Sequence, residues 1–143
     1  MKENLTANAS ISLDATPSKV WEALTNPKLI KQYMFGTEVT SDWKEGNPIT
    51  WKGEYKGKSY KDKGVIKKIK MNKILQHTYL SGMSGKEDKP ENYATVTYKL
   101  SKENEKTILS LSQDNNENEK AKEGSTKNWN TVLEKLKEVV EKK

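Results

Sequence analysis

The stretch LQHTYL, residues 75 to 80, holds the single histidine of this 143-residue chain, two positions before a tyrosine. Read as a strand, it puts His77 on the same face as Leu75 and Tyr79. An imidazole beside a phenol is an acid/base pair if both turn inward. Asp62, in KDK, supplies the nearest carboxylate of interest. These three residues are what a cyclase or hydrolase would draw on for proton transfer. The preferred role of Tyr79 is a polar handle on a cavity wall, and that of His77 a hydrogen-bonded, half-buried side chain.

Other chemistries lack their residues. There is no cysteine, which removes disulfides, thiolate zinc sites, iron–sulfur clusters and cysteine nucleophiles. One histidine without HxH or HExxH spacing makes no metal site. No GxSxG is present, and SGMSGKEDK lacks the spacing of a phosphate-cradling loop. No cofactor or metal is expected, and binding is favoured over catalysis.

Large rings are the second chemical resource. In PITWKGEY, alternation groups Ile49, Trp51, Gly53 and Tyr55 on an inner face. In NWNTVLEKLKEVVEKK, Trp129, Val132, Leu133, Leu136, Val139 and Val140 recur at helical spacing and form one apolar stripe. Trp51 from a sheet and Trp129 from a helix either line a cavity between them or pack a closed core; cavity lining is the expectation. The segment YMFG places Met34 beside the only phenylalanine, Phe35, as either a plug or a cavity mouth. In TILSLSQ, Leu109, Leu111 and Gln113 share a face, so Gln113 offers an amide to a polar ligand group.

The turn KGK leaves one register open. A two-residue loop puts Tyr60, Asp62 and Gly64 inside, whereas a three-residue loop puts Val65 there. The flanking Lys61 and Lys63 favour Asp62 as a surface carboxylate.

Positioning these residues requires a small core with large parts. Only 32% of residues are apolar, yet four Trp and six Tyr are present. The net charge is +6, but every basic residue is lysine and the lysines are interleaved with 20 acids. Without the bidentate fork of arginine or a gathered basic face, nucleic acid is not expected as a partner. No apolar run approaches a membrane span or a signal peptide, so the expectation is a cytoplasmic protein with no membrane span, monomeric or weakly dimeric.

Along the chain, Ala7, Ala9, Ile11 and Leu13 alternate as a first strand. Thr16 caps a helix with Pro17 at its first position, and Asn26-Pro27 ends it and begins a second short helix. Six strands follow: TEVTSDW, PITWKGEY, SYKDKGVIKKI, KILQHTYL, NYATVTYKL and TILSLSQ. The longest loop, Ser81 to Glu91, is the candidate for a mobile flap. DNNENEKAKEGS then leads to the terminal helix. With no repeat or composition break, residues 1–143 are expected to form a single α+β domain: a seven-stranded antiparallel sheet with a long C-terminal helix across its concave face.

The ordered set ATPSKVWEALTNP, YMFGTEVTSDWKEGNPITWKGE, DKGVI, ENYATVTYKL, TILSLSQDNN and NWNTVLEKLK resembles the START-like (SRPBCC) superfamily. Within it, the set is similar to the branch of the C-terminal domain of the activator of the ninety-kilodalton heat-shock protein ATPase. The resemblance runs from about Ser10 to Lys137. It implies a helix-grip fold, in which the curved sheet wraps the C-terminal helix around an elongated cavity for an apolar or aromatic small molecule such as a lipid or metabolite. It also implies that Val20-Trp21 is a framework position and that Trp129 with Leu133 faces the cavity. The ligand-facing set then comprises Met34, Phe35, Trp43, Trp51, Tyr60, His77, Tyr79, Leu109, Leu111, Gln113, Trp129 and Leu133. The same branch suggests an alternative role as a chaperone-associated, stress-response interaction module.

Overall fold

The computed structural model describes residues 5–82 and 85–141, with the side chain of Tyr55 outside the description. The element order is β1 (Leu5–Leu13), α1 (Pro17–Thr25), α2 (Pro27–Tyr33), β2 (Glu38–Ser41), β3 (Pro48–Tyr55), β4 (Lys58–Lys70), β5 (Ile74–Tyr79), β6 (Ala94–Glu103), β7 (Lys106–Asn116) and α3 (Glu119–Glu141). A short 3₁₀ turn, Pro90–Asn92, precedes β6.

The two short helices start where the sequence signals them. The Thr16 hydroxyl accepts from Lys19 N at 3.2 Å and the Asn26 side chain accepts from Lys28 N at 3.0 Å, with a proline at the start of each helix. The strands form one seven-stranded antiparallel sheet in the order β1-β7-β6-β5-β4-β3-β2. Thus β2 to β7 run as a meander, and β1 returns to the edge beside β7. Helix α3 lies across the inner face, burying Val132, Leu133, Leu136 and Val140. This is the helix-grip arrangement.

Several boundaries differ from the sequence reading, two of them with an evident local cause. Helix α3 spans 23 residues and begins at Glu119, inside the segment read as a connection. The Asn118 side chain accepts from Ala121 N at 2.8 Å and caps it, and Gly124 is tolerated one turn on. Strand β2 is limited to Glu38–Ser41, because Trp43 takes a left-handed φ of 58° that a strand does not accommodate.

The register left open by KGK is settled by a two-residue turn. Tyr55 pairs with Lys58 across Lys56 and Gly57, whose φ values of 51° and 79° are those of a type I′ hairpin. Asp62 is consequently opposite Trp51 and buried, while Val65 is exposed. The surface reading of Asp62 is therefore overturned. Lys61 and Lys63 take the outer face.

Gly64 permits a close approach between β4 and β5: a Cβ there would sit 1.8 Å from the Thr78 carbonyl oxygen. The ladder is irregular here, shifting register between Ile66 and Lys68, and the Thr78 hydroxyl accepts from Val65 N at 2.9 Å. This pinch brings the far end of β5, with Tyr79, alongside Asp62.

Of the loop read as a flap, Met83 and Ser84 lie outside the described residues. Its remainder is tied down: Gly82 N donates to Asp62, Asp88 pairs with Lys63 and accepts from the Tyr93 hydroxyl, and Asn92 bonds back to Glu87 O.

Candidate functional site

Between α3 and the sheet lies a cavity of about 230 Å³. Each wall follows from an alternation or a helical stripe. Trp51 comes from β3, Tyr60 and Asp62 from β4, His77 and Tyr79 from β5, Val96 and Tyr98 from β6, and Gln113 from β7. Helix α3 contributes Asn128, Trp129 and Val132, and the segment after α2 contributes Met34, Phe35 and Thr37.

A continuous course of rings runs along the sheet wall. Tyr79 meets Trp51 edge-on at 5.3 Å between centroids, Trp51 lies 4.9 Å from His77, His77 5.8 Å from Tyr98, and Tyr98 meets Trp129 edge-on at 6.1 Å. Trp51 and Trp129 line the same space but are linked through His77 and Tyr98 and do not touch as a pair. Gly53 makes room within this wall: a Cβ on it would lie 2.6 Å from the Tyr60 hydroxyl, which instead reaches Thr37 Oγ1 at 2.6 Å.

The polar groups divide into engaged and open ones. Asp62 accepts from the Tyr79 hydroxyl at 2.6 Å with one oxygen and from Gly82 N at 2.8 Å with the other. Burial, followed by the hydrogen bond to Asp62, pushes the Tyr79 phenol well above its ordinary range, so it stays protonated. Burial likewise raises Tyr98. His77 Nδ1 donates to the Thr78 carbonyl at 2.9 Å, which fixes the tautomer and leaves Nε2 as an acceptor. Burial lowers its pKa to about 4 against a weaker opposing pull from that hydrogen bond, so the ring is neutral near pH 7. Among the described residues, no protein group bonds Nε2 or the Tyr98 hydroxyl, and no buried side-chain nitrogen or oxygen is sealed from solvent without a partner. Both side chains line the cavity and its adjoining crevice.

Of the expected ligand-facing residues, Met34, Phe35, Trp51, Tyr60, His77, Tyr79, Gln113 and Trp129 converge on this cavity. Phe35 is 61% exposed at its mouth, with the Lys135 ammonium 5.8 Å from its ring, whereas Tyr33 is the buried plug, its hydroxyl donating to Ala23 O at 2.8 Å. Five expectations are corrected. Leu109, Leu111 and Leu133 are buried in the core and do not line the cavity. Trp43 does not line the cavity itself but borders an adjoining crevice of about 10 Å³, which shares Met34, Trp51, His77 and Tyr98 with it. The amide oxygen of Gln113 is also not open to a ligand, since it accepts from Trp129 Nε1 at 2.7 Å.

Sequence reasoning missed Tyr98, Val96, Thr37, Asn128 and Val132 as cavity residues. For Ala94, Val96 and Tyr98 a period-two signal was present in NYATVTYKL. Thr37 and Asn128 carried none, since each depends on how a loop or helix end sits over the sheet.

The described residues contain no cluster of His, Cys, Asp or Glu suited to a metal ion and no helix long and apolar enough to cross a membrane. Chemically the cavity offers stacking faces, one neutral imidazole acceptor, one phenol, and a carboxylate in an aromatic corner.

The chain is similar in fold to several solved proteins. ChR145 from Cytophaga hutchinsonii is 50% identical, with a TM-score of 0.86 over 99% of this chain and 96% of that one. CV1439 from Chromobacterium violaceum is 18% identical, with a TM-score of 0.82 over 96% of this chain and 98% of that one. Aha1 from Colwellia psychrerythraea, solved as a dimer, is 19% identical, with a TM-score of 0.76 over 96% of this chain and 97% of that one. The two latter likenesses establish the fold alone. No curated protein matches the sequence. The model of the family described as Activator of Hsp90 ATPase homolog 1-like protein matches residues 14–141, and the chain belongs to that family, within the START-like superfamily.

Proposed function

We propose that the protein holds a compact, largely apolar small molecule between α3 and the sheet. The observation that carries this reading is a ring-lined cavity of about 230 Å³ bordered by His77 and Tyr98, whose Nε2 and hydroxyl have no protein partner among the described residues. A cavity of roughly 150 Å³ accepts benzene, whereas drug-sized ligands occupy about 300–1,000 Å³. The fit is to a single ring with one or two polar substituents, and not to a flavonoid or an acyl chain. This narrows the expectation of a lipid or general hydrophobic metabolite.

Nuclear magnetic resonance titration with single-ring aromatic probes tests the proposal. Saturable shifts of the Trp129 and Trp51 indole N–H signals are expected, with no such shifts from long-chain fatty acids. If no single-ring probe moves either signal, the binding role is wrong.

A second reading, association with a chaperone, is favoured by the family and by the exposed Phe35–Lys135 pair at the cavity mouth. Pull-down with a bacterial ninety-kilodalton chaperone at low and high salt tests it. No association even at low ionic strength, where a lysine-rich surface acts over the longest range, would end it.

A further inference from the structure

The two ends of the cavity differ in kind. At the α3 end, Gln113 and Trp129 satisfy one another at 2.7 Å. At the other end Asp62 stands among Trp51, Tyr60 and Tyr79: Trp51 is its cross-strand partner, Tyr60 is on the same face of β4, and Tyr79 is hydrogen-bonded to it. Asp62 is 7% exposed and both its oxygens accept hydrogen bonds, as an acceptor-only carboxylate does.

What this carboxylate lacks is a cation. None of the ion pairs among the described residues involves it. Lys61 and Lys63 project from the opposite face of β4, and Lys63 is paired with Asp88. The only histidine lines the same cavity, but its buried ring is neutral near pH 7 and supplies no countercharge. Both donors that do reach Asp62, a phenol and a backbone N–H, are neutral. A buried carboxylate with no paired charge is costly, and proteins ordinarily pair such groups.

Resting on the cavity reading above, we infer that the site selects a small organic cation: an ammonium group held against Asp62 in the corner of Trp51, Tyr60 and Tyr79, carried on a single apolar ring or short chain that fills the remaining space. The corner suits such a guest twice over. The carboxylate provides the countercharge, and the neighbouring aromatic rings, the Trp51 indole above all, favour a cation over a neutral guest of the same size. The net charge of +6 opposes the approach of any cation, but at physiological ionic strength this repulsion is screened beyond about 8 Å and leaves the local field of Asp62 in control.

The structural alternative is that Asp62 only clasps the loop through Gly82 N. Three probes of nearly equal size separate the two: 2-phenylethylammonium, 2-phenylethanol and 3-phenylpropanoate, titrated at neutral pH and physiological salt and read by the indole N–H shifts. The expected order is ammonium over alcohol by about tenfold or more, with the carboxylate weakest. In Asp62→Asn the ammonium and the alcohol should bind within about threefold of each other. If the alcohol binds the natural protein as tightly as the ammonium, the cation inference is overturned while the cavity reading stands. If none of the three binds, both fall. The ranking in the natural protein decides the matter even if Asp62→Asn does not fold.

Discussion

Trp129 donates its indole N–H to the side-chain oxygen of Gln113 at 2.7 Å, a bond that fastens α3 to β7 at the cavity rim. One indole thus acts as wall, lid edge and anchor together. Its other neighbour, Tyr98, meets it edge-on in the cavity wall.

Trp129→Phe keeps a ring in the wall but strands the Gln113 amide oxygen, and should cost about 1 kcal/mol by urea denaturation. Trp129→Ala should cost about 2 kcal/mol, below the roughly 3–5 kcal/mol of a fully packed tryptophan, because the ring is half-buried and already borders open space. A loss in the upper range would mean that the ring is packed on both sides.

The buried imidazole sets a pH dependence. With its folded pKa lowered to about 4 from an ordinary 6.5, His77 binds its proton more readily in the unfolded chain. Stability is therefore undiminished above the unfolded pKa and falls as pH drops through the window between the two values. Relative to His77→Asn, which lacks the titrating group, the natural protein should lose about 3 kcal/mol between about pH 7 and pH 4. Parallel stability curves for the two proteins would show that the ring is not held neutral.

Gly64→Ala would drive a methyl group into the Thr78 carbonyl, 1.8 Å away in the present geometry. The strands must part, at a cost of about 3 kcal/mol. Since the same pinch sets Tyr79 against Asp62, probe affinity should drop together with the melting temperature. A neutral outcome would mean that β4 and β5 shift freely at this point.

Val96→Leu adds one methylene to a buried wall residue of the cavity. Because the extra volume enters existing space, the change in stability should stay within about 1 kcal/mol, whereas single-ring probes should bind at least about tenfold more weakly. Unimpaired binding would place the probe elsewhere.

The order of elements was legible because strong local signals mark them: Thr16-Pro17, Asn26-Pro27, the alternation through β1 and β3, and the stripe of α3. The cavity's chemistry was less so. Asp62 depended on the length of a turn in which Lys56 takes a left-handed φ of 51°, a conformation that lysine does not advertise. Trp43 was placed at the end of a strand and in the ligand-facing set, whereas the strand stops at Ser41 and Trp43 takes a left-handed φ of 58°. Leu109, Leu111 and Leu133 have the right periodicity for the interior, but periodicity cannot distinguish a residue bordering a void from one packed solid. The first turns of α3 were hidden by their polarity, which looked like a connector until Asn118 was seen to cap them.

The two-residue corner at Lys56-Gly57 acts as a parity bit for the whole binding wall. Were the turn to take in Lys58 as a third residue, Tyr55 would oppose Ser59, and β4 would present Lys61 and Lys63 to the hollow and hand Asp62 to the solvent. A residue inserted just after a retained two-residue turn would do the same, by slipping β4 one place along β3 and reversing the charge offered to a guest. Among relatives of this chain, the register across that hairpin should therefore track the sign of the ligand more closely than overall sequence identity does.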